Sequence, residues 1–360
     1  MIEPRLVELL REFVEIESPA YSPGVAAVAA RVGAELEQFG AEVTALEGGH
    51  LRAELPGQGA PVLLSGHADT VWPAGTLAQM PFRVEDDCAF GPGAYDMKAG
   101  LVVMLEAIRL AGERRRAIRV FLTGDEEMGS RTGRPLLEEA AEGLAAAFVV
   151  EPPGARGRLK TARKGLGRFT LTIAGRASHA GTARAEGVSA IEELAHQILA
   201  LHALTDEDAG TSVNVGVVSG GTSENVVAAQ AQARIDVRVA TLADRDRLEQ
   251  VLSRLTPLNP EAKLELGGGW TRPPLERSEG TAKLFVRARA YARELGLELE
   301  EESSSGGSDG NLIGALGVPV LDGLGALGAG AHSTDEHVEL ESIPLRAELL
   351  ARLLQDPGLA

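Results

Sequence analysis

The chain has 360 residues, 44% hydrophobic and only 4% aromatic, enough for two domains with interiors filled mainly by Ala, Leu, Val and Gly. A net charge of −17 repels phosphate and argues against nucleic acid or an anionic membrane as the main partner. The single cysteine, Cys88, excludes an internal disulfide and a cysteine cage, so a tightly held metal must use His, Asp and Glu.

Residues 1–16 mix acids and bases with apolar residues at helical spacing. That pattern is an amphipathic helix, whereas a signal peptide needs an uninterrupted apolar stretch. No run is long and apolar enough to cross a bilayer, so a soluble cytoplasmic protein is expected. A second helix is predicted over 25–39, stopping at Gly40. Strands follow at 41–46 and 51–55. A third, at 61–65, runs into Gly66-His67-Ala68-Asp69. A buried helix is expected over 97–110, then a strand at 118–123 leading into Asp125-Glu126-Glu127 and another at 147–150 leading into Glu151. Three buried strands thus end in acidic or imidazole residues, and ligands of α/β sheets sit outside such carboxyl ends.

From Gly167 the expected order is strand 168–173, helix 188–201, strands 212–218 and 229–239, helix 243–255 and strand 262–266. This is a β-α-β-β-α-β, ferredoxin-like unit. It divides the chain into a first catalytic part at 1–163, an inserted domain at 164–272 and a second catalytic part at 273–360. Gly267-Gly268-Gly269 is read as the way back through Pro273-Pro274, followed by a helix over 281–295. Residues 303–310, rich in Ser and Gly, are either a linker or a tight loop beside a site; the structured stretch that follows favours the loop. A last helix is predicted over 342–354.

Taken singly, the polar residues are ambiguous. His67 after a strand is a structural histidine or a ligand, but Asp69 can sit beside the imidazole and fix its tautomer, as acids do for metal-binding histidines. Asp96, just before a helix, reads as an N-cap or a ligand. Asp125, Glu126 and Glu127 are a solvated charge run or, at the end of a buried strand, a set of acids that a divalent cation compensates. Glu151 and His332 are weak alone. Together they give two histidines and several carboxylates at loop or strand ends, a donor set that suits zinc, with manganese or cobalt as substitutes. His50, His196 and His202 have no motif around them; His196 and His202, which fall on a predicted helix, and His337 are read as structural.

In order along nearly the whole chain come Ser65-Gly66-His67-Ala68-Asp69-Thr70-Val71, Gly93-Ala94-Tyr95-Asp96-Met97-Lys98, Thr123-Gly124-Asp125-Glu126-Glu127-Met128-Gly129-Ser130, Arg176-Ala177-Ser178-His179-Ala180-Gly181 and a closing His332. This series resembles the zinc-dependent M20 peptidases and deacylases. The segment from Gly307-Ser308-Asp309-Gly310 to His332-Ser333 looks most like the glutamate carboxypeptidase branch. Ala99 stands where the family often has glycine, and a local packing effect is expected from it.

The resemblance implies a mixed-sheet α/β catalytic domain with an inserted ferredoxin-like lid and dimerisation domain, holding two Zn²⁺ per subunit. Asp96 would bridge them, His67 and Glu151 would complete one site, and Glu127 and His332 the other. Asp69 would orient His67, and Glu126 would be the general base. Two such cations would lie about 3.5–4 Å apart. His179 would stabilise the oxyanion, reaching a partner subunit's active site in a homodimer; without the family it reads as a surface loop residue. Asn225 would contact substrate. Arg238 is suited to clamp a carboxylate through two hydrogen bonds, against the alternative of an ion pair with Asp236. Gly307, with Gly306, is a linker residue or, by resemblance, a pocket wall. The expected activity is cleavage of an amide next to a free carboxylate in a small peptide, as in a glutamate carboxypeptidase. The alternatives are an N-acyl-amino-acid deacylase, an aminopeptidase (which would need an acidic anchor in place of Arg238) and a non-catalytic binding protein, which would be expected to have lost Glu126 or a ligand.

Overall fold

Residues 2–358 are described by a computed structural model. Helix α1 (Pro4–Glu15) buries Leu6, Leu9, Leu10, Phe13 and Val14, the stripe its helical spacing calls for. Helix α2 (Pro23–Gln38) opens with Pro in its first turn. Next come β1 (Glu42–Ala45), β2 (Leu51–Leu55), β3 (Gln58–His67), β4 (Arg83–Glu85) and β5 (Cys88–Phe90). Helix α3 (Ala99–Ala111) is buried over nearly its whole surface and packs against α1, α2 and the last helix. Strand β6 (Arg116–Thr123), α4 (Gly133–Ala140), β7 (Ala146–Val149) and β8 (Leu159–Arg163) complete this stretch.

The chain then forms β9 (Gly165–Ala174), α5 (Ala190–His202), β10 (Ser212–Gly220), β11 (Gln230–Val239), α6 (Leu242–Leu252) and β12 (Lys263–Arg272). It continues through α7 (Glu279–Glu294), β13 (Glu301–Ser304), α8 (Asp309–Gly314), β14 (Val320–Leu321), β15 (Gly328–Ala329), β16 (His337–Glu339) and α9 (Ser342–Leu354). No helix among the described residues is long and apolar enough to cross a membrane.

Contacts divide the chain into two compact units. One holds the chain up to Ala162, Arg277–Ser304 and the residues from Ser308 onward; the other holds Arg163–Glu276 and Ser305–Gly307. Strand β12 does not stop at the expected Leu266. It runs on through Gly267-Gly268-Gly269 to Arg272, paired with β9. Gly268 has φ +89°, and a Cβ there would lie 2.2 Å from the Arg168 carbonyl oxygen, so the glycines permit close strand pairing and are not an exit loop.

The first unit is built on a mixed six-stranded sheet in the order β1-β2-β6-β3-β7-β14. Strands β6, β3, β7 and β14 run parallel, and β1 and β2 add an antiparallel edge. The mixed α/β class expected from the sequence is therefore the class observed. A small sheet, β15-β16-β5-β4, stands beside it. Fully buried Phe13, Phe121 and Phe148 anchor the interior. Burial of each contributes about 1.5–3 kcal/mol. The second unit is an antiparallel sheet in the order β10-β11-β9-β12 with its own core, including Leu171, Ile173, Leu194, Val237 and Leu248.

Candidate metal centre

Register brings the carboxyl ends of the central parallel strands level. His67 of β3 pairs with Thr123 of β6, and Ser65 pairs with Val149 of β7. His67, the turn 124–127 and Glu151 therefore leave the sheet at one edge, where α/β sheets bind ligands. Asp96 comes from an irregular turn, Ala94–Lys98, just before α3. It does not cap that helix: the residue flanking α3 is Lys98, and no side chain caps it.

Two groups of possible ligands result, His67 with Asp96 and Glu151, and Asp96 with Glu127 and His332. In each, one donor atom per residue lies within 4.8 Å of the others. His67 Nε2 is 3.3 Å from Asp96 Oδ1 and 3.7 Å from Glu151 Oε1. His332 Nε2 is 3.4 Å from Asp96 Oδ2 and 3.2 Å from Glu127 Oε1. Asp96 thus turns one oxygen to each group. His67 is buried, whereas His332, in the left-handed region at φ +62°, is half exposed.

The electrostatics of the cluster are dominated by its carboxylates. Hydrogen bonds to Asp96 and Glu127 push His332 up to about 10. Burial alone would lower the His67 imidazole, yet its hydrogen bonds to Asp69 and Asp96 prevail and raise it well above its usual value. Burial would likewise raise Asp96, but the two imidazoles hold it below the carboxylate range. Three carboxylates among five donors leave an excess of negative charge, which favours the protonated form of both imidazoles and would equally favour a divalent cation. The donor set of imidazole and carboxylate fits zinc, manganese or cobalt.

Residues behind these donors hold them in place. His67 Nδ1 lies 2.9 Å from the Asp69 carbonyl oxygen and 3.5 Å from its carboxylate. That carboxylate has a second task the sequence did not suggest: it accepts the backbone N–H groups of both Glu126 and Glu127 at 3.0 Å. Asp125 proves different from its two neighbours. It is fully buried and accepts from the Thr132 hydroxyl and the backbone N–H groups of Thr132 and Gly133, so protein donors compensate it and no cation is needed. His50 Nδ1 accepts the Gly124 N–H at 2.8 Å, and its Nε2 lies 3.0 Å from the Thr132 hydroxyl. Residues 303–310 are not one loop: Ser303 and Ser304 belong to β13, and Ser308 caps α8 in a capping box with Asn311. From α8, buried Asp309 accepts from Thr123 and Ser130, on either side of the Glu126–Glu127 turn.

Residues 63–356 match Peptidase family M20/M25/M40. Carboxypeptidase G2 of Pseudomonas sp. (strain RS-16) is 33% identical over 99% of this chain and 90% of its own length. The chain belongs to the M20 family. A succinyl-diaminopimelate desuccinylase of Psychrobacter sp. (strain PRwf-1) is 27% identical over 82% of this chain and 79% of its own. Among solved structures, aminopeptidase PepT from Bacillus cereus ATCC 10987 superposes with a TM-score of 0.81 at 24% identity, covering 98% of each chain. The Bacillus subtilis YXEP protein, a dinuclear metal-binding peptidase of the M20 family, superposes with a TM-score of 0.75 at 18% identity, covering 98% of this chain and 97% of its own. Membership makes this chain a hydrolase of the metallopeptidase and amidohydrolase type.

The remaining M20-like positions lie in the second unit. His179 Nδ1 accepts the N–H groups of Gly181 and Thr182, each at 3.1 Å, which leaves the ring proton on Nε2. Asn225 shares this corner: its carbonyl accepts the Ala180 N–H, and its Oδ1 accepts the Ser223 hydroxyl at 2.7 Å. Arg238 makes a two-pronged pair with Asp236, at 2.7 and 3.1 Å, and donates to the Ser305 carbonyl at 3.0 Å. The ion pair weighed at the outset is thus the arrangement present. Gly307 packs so closely that a Cβ would lie 2.2 Å from Leu166 Cδ1, and Arg163 donates to the Gly306 and Gly307 carbonyls at 3.1 and 3.4 Å.

Proposed function

We propose that this chain is a two-zinc hydrolase that cleaves an amide bond next to a free carboxylate, with Glu126 as general base. The observation that carries this reading is the single carboxylate of Asp96, which faces His67 with one oxygen and His332 with the other. His67, Asp96 and Glu151 would hold one cation and Asp96, Glu127 and His332 the other. Divalent cations so placed acidify water and polarise an amide carbonyl.

The protein residues do the rest. Asp69 fixes the backbone from which Glu126 projects, and the Glu126 carboxylate takes the proton from the attacking water and returns it to the leaving nitrogen. His179, preset with its proton on Nε2, donates to the tetrahedral oxyanion. Arg238 anchors the substrate carboxylate, sharing or exchanging its bond to Asp236, and Asn225 and Gly307 line the same substrate. The inserted unit serves as lid and dimerisation surface. In support of a homodimer, β10 is an edge strand that exposes Val217 and Val218, and α5 exposes Leu199. A cytoplasmic location belongs to the same reading and is compatible with one unpaired cysteine.

A second reading keeps the chemistry and changes the bond: an N-acyl-amino-acid deacylase, which the desuccinylase relatives favour. A panel of dipeptides, N-acyl amino acids and their carboxamides, assayed with zinc, cobalt and manganese, separates the two. The carboxypeptidase reading requires dipeptides to be hydrolysed and blocking of the terminal carboxylate to abolish turnover. Turnover that ignores the block removes the carboxylate anchor, and turnover confined to N-acyl amino acids selects the deacylase.

A further inference from the structure

The turn that carries Asp96 is held by a residue the chemistry above does not use. Glu336 is fully buried, and its carboxylate accepts four N–H groups. Oε1 takes those of Tyr95 and Asp96, both at 3.0 Å; Oε2 takes the Trp72 indole at 2.7 Å and Gly93 at 2.9 Å. Every partner is a donor, so the group works only as an acceptor, with both oxygens fully used.

Glu336 also belongs to the segment that carries His332. Ser333 donates its N–H to the Gly330 carbonyl at 2.8 Å, and Glu336 donates its own to the Ser333 carbonyl at 3.0 Å. One side chain therefore ties the turn bearing His332 to the turn bearing Asp96. Glu127 hangs in the same fashion from the carboxylate of Asp69. All three members of the Asp96, Glu127 and His332 group are thus placed by two buried acids. The other group shares Asp96, but its remaining donors lean on the sheet itself: His67 ends β3 and Glu151 follows β7 closely.

We infer that Glu336, with Trp72, is a positioning residue that builds the Asp96, Glu127 and His332 cation site and sets its affinity more strongly than that of the site of His67, Asp96 and Glu151. The inference rests on the two-cation reading. In Glu336→Gln an amide NH₂ replaces one oxygen and faces two N–H donors, so two of the four hydrogen bonds cannot form. Partners behind metal ligands typically alter affinity 10–100-fold when lost.

The test uses the full chain stripped of metal, Zn²⁺ titrated in competition with a chelating dye, and zinc counted after desalting; circular dichroism reports the fold. Wild type is expected to bind two Zn²⁺ per chain. Glu336→Gln should bind the second more weakly by about tenfold or more, with a clearly smaller loss at the first, which shares only Asp96 with the disturbed turn. Trp72→Phe, which removes one donor and so a single hydrogen bond, should weaken the second about threefold. A merely structural role would lower resistance to urea without separating the two affinities. Wild type binding fewer than two ions refutes the two-cation reading and this inference with it. Two ions in wild type, and two at unchanged affinity in folded Glu336→Gln, overturn the inference alone. If that variant does not fold, an unchanged second affinity in Trp72→Phe overturns it.

Discussion

Asp69→Asn is the sharpest probe of how the centre is held. The Asp69 carboxylate is 1% exposed and accepts two backbone N–H groups, from Glu126 and Glu127, at 3.0 Å each. Asparagine has the same shape but offers one oxygen, and its NH₂ must point at the other N–H. One charge-assisted hydrogen bond is lost, worth about 1.5–3 kcal/mol; the stranded donor is the same loss seen from the other partner and is not added. The metal-free variant should therefore unfold in urea with stability lowered by about 2 kcal/mol and an unchanged denaturant slope. The turn that presents Glu127 loosens as well, so zinc affinity should fall tenfold or more. A variant within about 0.5 kcal/mol of wild type that binds zinc normally would refute the claim that this carboxylate holds the turn.

Two further substitutions separate structure from substrate binding. His50→Asn keeps an acceptor for the Gly124 N–H but cannot titrate. Burial depresses the His50 pKa, so the folded state resists a proton that the unfolded chain accepts near the ordinary value of about 6.5. Stability is then complete above about 6.5 and falls as pH drops from there to the folded value, by up to about 1.4 kcal/mol per pH unit, levelling off below it. Urea unfolding of metal-free protein should show this loss in wild type and not in the variant; parallel pH profiles would count against it. Arg238→Ala removes a partly exposed ion pair, worth about 1 kcal/mol at most in stability. As a carboxylate anchor it should instead raise KM about tenfold or more, with kcat little changed. An unchanged KM would leave Arg238 only its pair with Asp236.

Much of this was legible in the sequence because strand ends and hydrophobic periods are local. The spans of β2 and α9 follow from alternation and helical spacing alone, and the runs after β3, β6 and β7 already pointed to one edge of a sheet. Long-range partners were not legible. Glu336 reads as one more acid after His332, and nothing nearby predicts that its oxygens meet Gly93, Tyr95 and Asp96, some 240 residues away. Asp125 looks equivalent to Glu126 and Glu127 until the fold turns it inward onto Thr132 and Gly133. His50 has no motif because its partners, Gly124 and Thr132, come from another part of the chain. The glycines of β12 signalled a loop because strand propensity disfavours them, yet the close approach of Arg168 to Gly268 makes glycine the residue that fits.

Glu126→Gln tests the proposed chemistry most directly, with zinc content and turnover measured on the same sample. If Glu126 moves the proton and the five donors His67, Asp96, Glu127, Glu151 and His332 hold the cations, the variant keeps two zinc ions per chain and loses turnover by about 10²–10⁴-fold. Undiminished turnover in the zinc-loaded variant, or full activity in wild type stripped of divalent cations, would contradict it.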